Sequence, residues 1–436
     1  MPSAQTILAE LVWDGSSFQR DVAVHVRADG NIDHLGQPRA EASETIHLSR
    51  HALVPGFVNA HSHAFQRGLR SQTQRFDTGA GNFWSWRETM YRLAEALDVE
   101  SFYETSKQCF TEMLRAGMTS VGEFHYLHHA GQKQWAFDEA VIAAAQDAGI
   151  RLVLIQTYYS TGAIGLALSG AQILFGPVSR DEFLKQFDRI AGRLDAATQS
   201  MALACHSIRA VSLADLKYFR DYAIANALPF HIHVEEARKE ISDCVAAYGA
   251  NPLKVLLKEI TIDDRVTAIH CTHSTPDDLR EYISRGGRIC LCPITEGNLS
   301  DGFPDLPTIR AAGGKICIGT DSNIRISMNE ELRWLEFAQR LRREQRGIVV
   351  DDSHRTASAL MKFGASNGAE SIGLNAGAIR PGHLADLVAV DLDHPSMRGC
   401  DEDSVLDSLI LGSGNGPIDH VWVGGQLAIK RPRETT

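Results

Sequence analysis

The sequence predicts an α/β fold, namely a (β/α)8 TIM-type barrel that carries a small β-sandwich domain built from both termini. Eight short apolar runs predict the barrel strands, and they end near positions 58, 123, 157, 205, 232, 269, 291 and 319. Stretches of helical periodicity lie between these runs, and such alternation produces βαβ units with a parallel sheet. Eight runs favour a closed barrel over an open doubly wound sheet.

The two ends of the chain have a different pattern, with short strand-like segments separated by turns. Asp-Gly turns at 14–15 and 29–30 break the first end, and the predicted strands of both ends lie at 6–13, 21–26, 45–48, 384–390 and 420–427. We therefore expect a discontinuous β domain over residues 1–50 and 380–436. The catalytic barrel is expected over residues 51–379.

Between the strand-like runs, apolar residues recur with the period of a helix. The predicted helices cover 99–116, 137–148, 180–196, 213–226 and 277–285. Active sites of such barrels lie at the carboxyl ends of the strands. Nine chemically capable residues come just after an apolar run: His61, His63, Tyr126, His206, Arg209, His233, Glu236, His270 and Asp321. The fold therefore predicts that these residues converge at one mouth.

Composition narrows the class of protein. With 436 residues, 44% hydrophobic and 22% charged, the chain has the composition of a globular protein. A net charge of −11 argues against a nucleic-acid partner but leaves room for a small anionic substrate beside local arginines. We expect no membrane span and no signal peptide. The eight cysteines form no CxxC pair, which favours reduced thiols and a cytoplasmic protein.

Two histidines at the end of the first apolar run indicate a metal site. Residues two apart in a strand point the same way, so His61 and His63 can aim at one ion. A second His-x-His at 231–233 offers a third imidazole, and Asp321 offers a carboxylate after another apolar run. Three nitrogens and one oxygen suit Zn²⁺, with Fe²⁺ as the second choice.

Proton transfer needs further groups beside the metal. Glu236 follows His233 by three residues, and His270 ends the sixth run. A carboxyl group can carry a proton to a departing nitrogen, and Asp321 can accept one from the attacking water. We expect Glu235 to be an exposed carboxylate at a helix start. The fourth run, 202–206, lacks the lysine that bridges two metals in binuclear barrels, which favours a single ion.

Taken together, these motifs resemble the amidohydrolase superfamily in its mononuclear deaminase branch. The resemblance rests on 55–63, on the HxHxxE at 231–236, on His270, on the Gly-Thr-Asp ending at Asp321 and on 382–387. A finer similarity, over nearly the whole chain, is to the family of formimidoylglutamate deiminases of histidine degradation. That similarity is carried by 63–67, 83–88, 123–126, 205–211 and 330–336.

The resemblance implies an activity and a role for each matched position. The implied reaction is the hydrolysis of N-formimino-L-glutamate to N-formyl-L-glutamate and ammonia. The implied metal ligands are His61, His63, His233 and Asp321, and the implied proton-transfer residues are Glu236 and His270. The implied substrate contacts are Gln66, Arg87, Tyr126, His206 and Arg209. Glu235 and the segment 292–295 depart from the pattern of the family at the rim of the pocket.

Physical chemistry gives separate support for a dianionic substrate. The planar fork of an arginine matches a carboxylate bidentately. Arg209 lies four residues past the fourth run, and Arg87 lies in a Trp-flanked segment long enough to form a lid. The alternative for Arg87 is a surface arginine packed on Trp84 or Trp86.

Two other functions compete with this one. The first is a related mononuclear deaminase acting on a guanine, adenosine or cytosine ring, which would favour aromatic stacking over arginines. The second is an interaction protein that has lost catalysis, which a missing ligand residue would favour. The sequence leaves the oligomeric state open, with a homodimer as one option.

Overall fold

The computed structural model describes residues 4–37, 44–70, 72–74, 81–177 and 179–431. Its strands, in chain order, are β1 (Gln5–Trp13), β2 (Phe18–Arg20), β3 (Ala23–Val26), β4 (Ile32–Gly36), β5 (Glu44–Pro55), β6 (Phe57–Ser62), β7 (Met118–His125), β8 (Arg151–Tyr158), β9 (Gln199–Ser207), β10 (Phe230–Val234), β11 (Val266–His270), β12 (Arg288–Leu291), β13 (Lys315–Ile318), β14 (Leu387–Asp391), β15 (Ile418–Val423) and β16 (Gln426–Lys430).

The α-helices are α1 (Phe83–Ala96), α2 (Val99–Arg115), α3 (Ala136–Ala148), α4 (Arg180–Ala191), α5 (Leu213–Ala225), α6 (Arg238–Tyr248), α7 (Pro252–Glu259), α8 (Pro276–Ser284), α9 (Pro293–Leu299), α10 (Leu306–Ala311), α11 (Met328–Arg343), α12 (Thr356–Gly364), α13 (Ser366–Ser371) and α14 (Val405–Asp407). Short 3-10 segments lie at Ala64–Leu69, Gly170–Leu174 and Pro395–Met397, and a π turn lies at Ser408–Gly412. The five predicted helices correspond to α2, α3, α4, α5 and α8, although α4 ends earlier than predicted.

Strands β6 to β13 form the predicted barrel, each parallel to the next in chain order. A parallel bridge between Ser62 and Asp321 brings the last strand back to the first. The Asp321 N–H donates to the His61 carbonyl at 3.0 Å, and the His63 N–H donates to the Asp321 carbonyl at 2.9 Å. The barrel therefore closes at the residues that were predicted to bind a metal.

Gly319 permits this closure. A Cβ atom at this position would lie 2.6 Å from both the Cβ and the carbonyl oxygen of His61, which is closer than packed atoms approach. Only glycine lets the end of β13 come this close to β6. This contact explains the glycine in the Gly-Thr-Asp motif that ends at Asp321.

The second sheet contains strands from both termini, as predicted. Its order is β4, β3, β1, β5, β14, β15 and β16, and β2 pairs with the carboxyl-terminal residues of β1. The pairs are antiparallel apart from β1 with β5. Strand β5 ends at Pro55 and the barrel begins at Phe57, so a single residue separates the two sheets.

The central strands of this sheet, β14 and the second half of β5, are buried on both faces, and alternate residues point to opposite sides. Leu53 and Leu387 point into a small separate core, whereas Val54 and Val388 join the large core of the barrel. A buried ion pair also links the two parts of the chain. Arg151 on β8 donates to both carboxylate oxygens of Asp386, at 2.8 and 2.9 Å.

Across the described ranges, the structure has no helix that is both long and apolar enough to cross a bilayer.

Candidate active site

Three histidines meet at the carboxyl ends of β6 and β10. His61 is fully buried, and His63 and His233 are nearly so. Nδ1 of His63 donates to the Phe124 carbonyl, and Nδ1 of His233 donates to the His206 carbonyl, each at 2.9 Å. A carbonyl oxygen only accepts, so these two neutral rings keep their lone pair on Nε2. Both are therefore oriented as metal ligands.

The separations between the donor atoms fit a single ion. Nε2 of His61 and Nε2 of His233 lie 3.2 Å apart. Oδ1 of Asp321 lies 3.4 Å from Nε2 of His63 and 3.7 Å from Nε2 of His61. Four ligands about 2.0–2.1 Å from a tetrahedral zinc ion lie about 3.3 Å from one another. These three separations are therefore close to those between the ligands of one tetrahedral ion.

Burial keeps the histidines neutral, as a metal ligand must be. It lowers the pKa of His61 to about 3 and the pKa of His233 well below its ordinary value. The pKa of Asp321 lies below its usual range, because contacts with His61, His63 and His270 outweigh the opposing effect of burial. The carboxylate of Asp321 is therefore ionised at neutral pH.

The second His-x-His supplies one residue to the site. His231 lies on the same strand as His233 but two residues nearer its amino end, where it is buried and pairs with the Ser371 carbonyl at 2.9 Å. Of the two histidines in this motif, His233 is therefore the one that lies beside His61 and His63.

Three other groupings of metal-binding side chains are poorer candidates. One lies in the second sheet, where His51 and His420 each bond to an oxygen of Asp419. His270, Cys292 and Asp321 also come together, but burial raises the pKa of the Cys292 thiol well above its ordinary value and disfavours the thiolate. His125 and His128 surround Asp138. The Asp138 carboxylate already accepts hydrogen bonds from both imidazoles and from two glutamines, Gln156 and Gln186.

His270 lies between the predicted acid–base groups. Its Nε2 is 3.6 Å from Oδ2 of Asp321 and 3.7 Å from Oε1 of Glu236. Burial disfavours a charge on this ring, but the carboxylates of Glu236, Glu296 and Asp321 outweigh burial and raise the pKa of His270 to about 10. Burial raises the pKa of Glu236 as well. The site thus holds a charged imidazole beside a carboxyl group that binds its proton more tightly than usual.

The backbone is strained at this position. His270, Cys271 and Asp321 have φ angles of 75°, 51° and 48°, in the left-handed region that residues other than glycine seldom adopt. Such strain clusters at functional sites, where the surrounding fold holds it in place.

A single cavity opens above the histidines and contains about 500 Å³ of space free of protein atoms. All five predicted substrate-binding residues line it: Gln66, Arg87, Tyr126, His206 and Arg209. His63, His233, Glu236 and Asp321 line the same cavity.

Hydrogen bonds and ring contacts hold the polar residues of this wall. Nε2 of Gln66 donates to the Tyr126 hydroxyl at 2.8 Å. The Arg209 guanidinium lies 5.3 Å from the centre of the Phe83 ring, and the Arg87 guanidinium lies 4.2 Å from the centre of the Trp84 ring. Arg87 therefore packs on a tryptophan, as the alternative for this residue held, and also lines the cavity.

Glu235 corrects one sequence-based expectation. It is fully buried rather than exposed, and its Oε1 accepts a hydrogen bond from the Leu253 N–H at 2.9 Å. Leu253 lies in the first turn of α7, whose N–H groups have no partner within the helix. Glu235 therefore caps α7 rather than α6, the helix that follows it directly.

Seven further residues line the cavity that the sequence analysis did not select as substrate contacts, and all of them are aromatic or apolar. They are Phe83, Trp86, Met90, Tyr91, Tyr159, Phe175 and Leu299. Four belong to α1 at helical spacing, so a helical interpretation of residues 83–91 would have found them.

Glu296 is a further residue that the sequence analysis missed. Its Oε1 lies 3.3 Å from Nδ1 of His270 and accepts the Cys292 N–H at 3.0 Å. Like Glu236, it follows shortly after an apolar run, and that rule could have selected it.

Comparison with known proteins agrees with this geometry. The Amidohydrolase family matches residues 52–428. A formimidoylglutamate deiminase of Pseudomonas aeruginosa is 34% identical over 434 residues, which cover 98% of this chain and 95% of that protein. A crystal structure of an amidohydrolase from Brucella melitensis superposes with a TM-score of 0.86 at 30% identity, over 98% of this chain and 96% of that one.

A second solved structure, an adenosine deaminase from Xanthomonas campestris with bound zinc, has a TM-score of 0.82 at 26% identity. The superposition covers 98% of this chain and 93% of that one. The family match and the first relative extend over most of the chain, including every candidate site residue. The chain therefore belongs to the amidohydrolase family.

Proposed function

We propose that this enzyme hydrolyses the amidine group of N-formimino-L-glutamate and releases N-formyl-L-glutamate and ammonia. The observation that carries the proposal is the cavity itself. Arg87 and Arg209 line its wall, and the cluster of metal-binding side chains lines its floor. A substrate with two carboxylates and one amidine needs these two kinds of group on the two sides of one pocket. The similarity to the Pseudomonas aeruginosa deiminase supports the same substrate.

We further propose one divalent ion per chain, held by His61, His63, His233 and Asp321. Zinc is the first choice, supported by the donor set and by the zinc in the related adenosine deaminase, and Fe²⁺ is the second. When bound, such an ion polarises water and lowers its pKa to about 7.

Elemental analysis of the purified protein tests this part of the proposal. We expect close to one equivalent of metal, and we expect the double variant His233→Ala, Asp321→Ala to lose it. Two equivalents, or metal retained by the double variant, would contradict the assignment of ligands.

The acid–base residues divide the proton transfers between them. The ionised Asp321 accepts a proton from the attacking water. As the water oxygen bonds to the amidine carbon, the neighbouring Glu236 gives its proton to the imino nitrogen, which becomes an amino group. When the bond from carbon to this nitrogen breaks, the nitrogen takes the proton held by Asp321 and leaves as ammonia, and the hydroxyl proton passes to Glu236 as the carbonyl forms. The charged His270, within 3.7 Å of both carboxylates, stabilises negative charge that develops on the attacking oxygen.

A second candidate function is the deamination of an adenosine-type ring. The aromatic residues that line the cavity favour it, because Phe83, Trp86 and Tyr159 offer surfaces for stacking. The similarity to an adenosine deaminase points the same way. A neutral ring would not need the two arginines of the pocket, whereas a substrate with two carboxylates would. We therefore propose the acidic substrate.

Identification of the products tests the proposed function. Enzyme loaded with zinc is incubated with N-formimino-L-glutamate, and ammonia and N-formyl-L-glutamate are measured together. We expect equal amounts of the two products. Release of formamide and glutamate instead would show that a different C–N bond is broken.

A further inference from the structure

A buried carboxylate next to Arg209 has no hydrogen-bond partner among the described residues. Glu240, in the first turn of α6, is 1% exposed. Neither of its side-chain oxygens forms a hydrogen bond with any residue that the structure describes. Burial without a partner is costly for a carboxylate, so an isolated one calls for an explanation.

The cation closest to Glu240 is the predicted substrate-binding arginine. Oε2 of Glu240 lies 3.6 Å from Nη1 of Arg209. That Nη1 atom is also buried and makes no hydrogen bond within the described part of the chain. The two groups therefore form an ion pair at a distance slightly too long for a hydrogen bond.

Other contacts hold Arg209 from different directions. Its carbonyl oxygen accepts the Thr161 hydroxyl at 3.2 Å, which fixes the main chain. The Phe83 ring lies against the guanidinium at 5.3 Å. With Glu240 beside Nη1, the guanidinium is restrained while Arg209 still lines the cavity.

Without Glu240, a different carboxylate would compete for this guanidinium. Glu236, the proposed proton carrier, lines the same cavity as Arg209. An arginine drawn toward Glu236 would be lost to the substrate and would hold Glu236 in its ionised form. Glu240 keeps the two functions apart.

We propose that Glu240 is a positioning residue, which holds Arg209 for a carboxylate of the substrate and so contributes to the selectivity for acidic substrates. This inference rests on the proposed function in one respect, namely that the ligand is an anion. It adds a residue that acts on specificity through Arg209 and does not itself touch the substrate.

A double-mutant cycle tests this proposal. The proteins are zinc-loaded wild type, Glu240→Gln, Arg209→Met and the double variant. The substrates are N-formimino-L-glutamate and an amidine of similar length without carboxylates. We expect Glu240→Gln to lose about 5- to 20-fold in kcat/KM on the acidic substrate, mainly through KM, and less than about 2-fold on the neutral one. In the Arg209→Met background, Glu240→Gln should have no further effect.

Glu331→Gln is the matched control, because Glu331 is also a fully buried glutamate with one unpaired oxygen and lies on α11. For Glu331→Gln, the ratio of kcat/KM for the acidic substrate to kcat/KM for the neutral one should stay within about 2-fold of the wild-type ratio. If Glu240→Gln folds poorly, Glu240→Asp replaces it, since the shorter side chain keeps the charge but withdraws it from Arg209. Equal losses in the presence and absence of Arg209, or on both substrates, would overturn the proposal.

A binding measurement separates this proposal from the proposed function. The affinity of the same four proteins for N-formyl-L-glutamate is measured by calorimetry. We expect Glu240→Gln to raise Kd when Arg209 is present and to leave Kd unchanged in the Arg209→Met background. A wild type that binds this dicarboxylate but does not hydrolyse the substrate would contradict only the proposed function. A wild type that binds no dicarboxylate would overturn the role of Glu240.

Discussion

Glu236 is the residue on which the proton transfer depends. It lies in the cavity, 3.7 Å from His270, and burial raises the pKa of its carboxyl group. We expect Glu236→Gln to retain the metal and to lose about 10²- to 10⁴-fold in kcat, the usual contribution of one general acid or base. Stopped-time ammonia assays and elemental analysis measure the two quantities.

Glu235→Gln is the control for this variant. Because Glu235 caps α7 rather than facing the cavity, its change should lower thermal stability and leave the chemical step intact. If Glu236→Gln kept its activity, a group other than Glu236 would have to transfer the proton.

Arg209 tests how the site recognises its substrate. A hydrogen bond to a charged group is worth about 1.5–3 kcal/mol, and a bidentate one lies toward the upper end. Arg209→Met should therefore lower kcat/KM for the dianionic substrate by about 10- to 150-fold. It should also reduce the difference in kcat/KM between this substrate and an analogue that lacks the carboxylate bound by Arg209. Arg209→Lys should recover only part of this loss, because lysine keeps the positive charge but cannot form two parallel hydrogen bonds to a carboxylate. Equal slowing of both substrates would mean that Arg209 only shapes the pocket.

At the scale of elements, a His–Asp pair ties the second sheet together. His51 on β5 and Asp419 on β15 lie on either side of β14, with Nε2 and Oδ2 2.9 Å apart. Burial opposes both charges, but the pairing raises the pKa of His51 and the hydrogen bonds from His420 and His51 lower that of Asp419 to about 2.

The two shifts define a pH window of stability. The depressed pKa of Asp419 gives stability that is present above the unfolded value near 4 and is lost toward pH 2. The raised pKa of His51 gives stability that is present below about 6.5 and is lost as the pH rises through its folded value. Asp419→Asn should therefore cost about 1–3 kcal/mol near pH 5 and less near pH 9. Thermal unfolding of both proteins across this range measures the effect, and a constant difference would contradict it.

Sequence periodicity predicted those features that depend on residues close together in the sequence. The apolar runs of β6 to β13 were predicted correctly, and the candidate ligands after them come together as expected, because strand alternation and the position of barrel sites at strand ends can be applied to each run separately. Glu235 and Glu240 were not, because the partners that explain them, Leu253 and Arg209, lie on other elements. The aromatic face of α1 was missed because residues 83–91 were interpreted as a lid without helical periodicity.

At the scale of the whole molecule, the barrel and the terminal sheet meet around a short linker. Gly319 and the bridge from Ser62 to Asp321 close the barrel, and the pair of Arg151 with Asp386 joins it to the second sheet. This arrangement places the candidate metal-binding cluster at the floor of a cavity whose wall contains two arginines and several aromatic rings. The arginines favour an acidic substrate and the rings favour a nucleobase, so turnover decides between them.

The most direct measurement compares kcat/KM for ammonia release from N-formimino-L-glutamate, adenosine, guanine and cytosine by the same zinc-loaded preparation. We predict that N-formimino-L-glutamate exceeds each of the others by at least about 10³-fold, since a pocket built to pair charged groups rejects ligands that leave those groups unpaired. Preference for adenosine or another ring compound would contradict the proposed function and would assign the aromatic wall to base stacking.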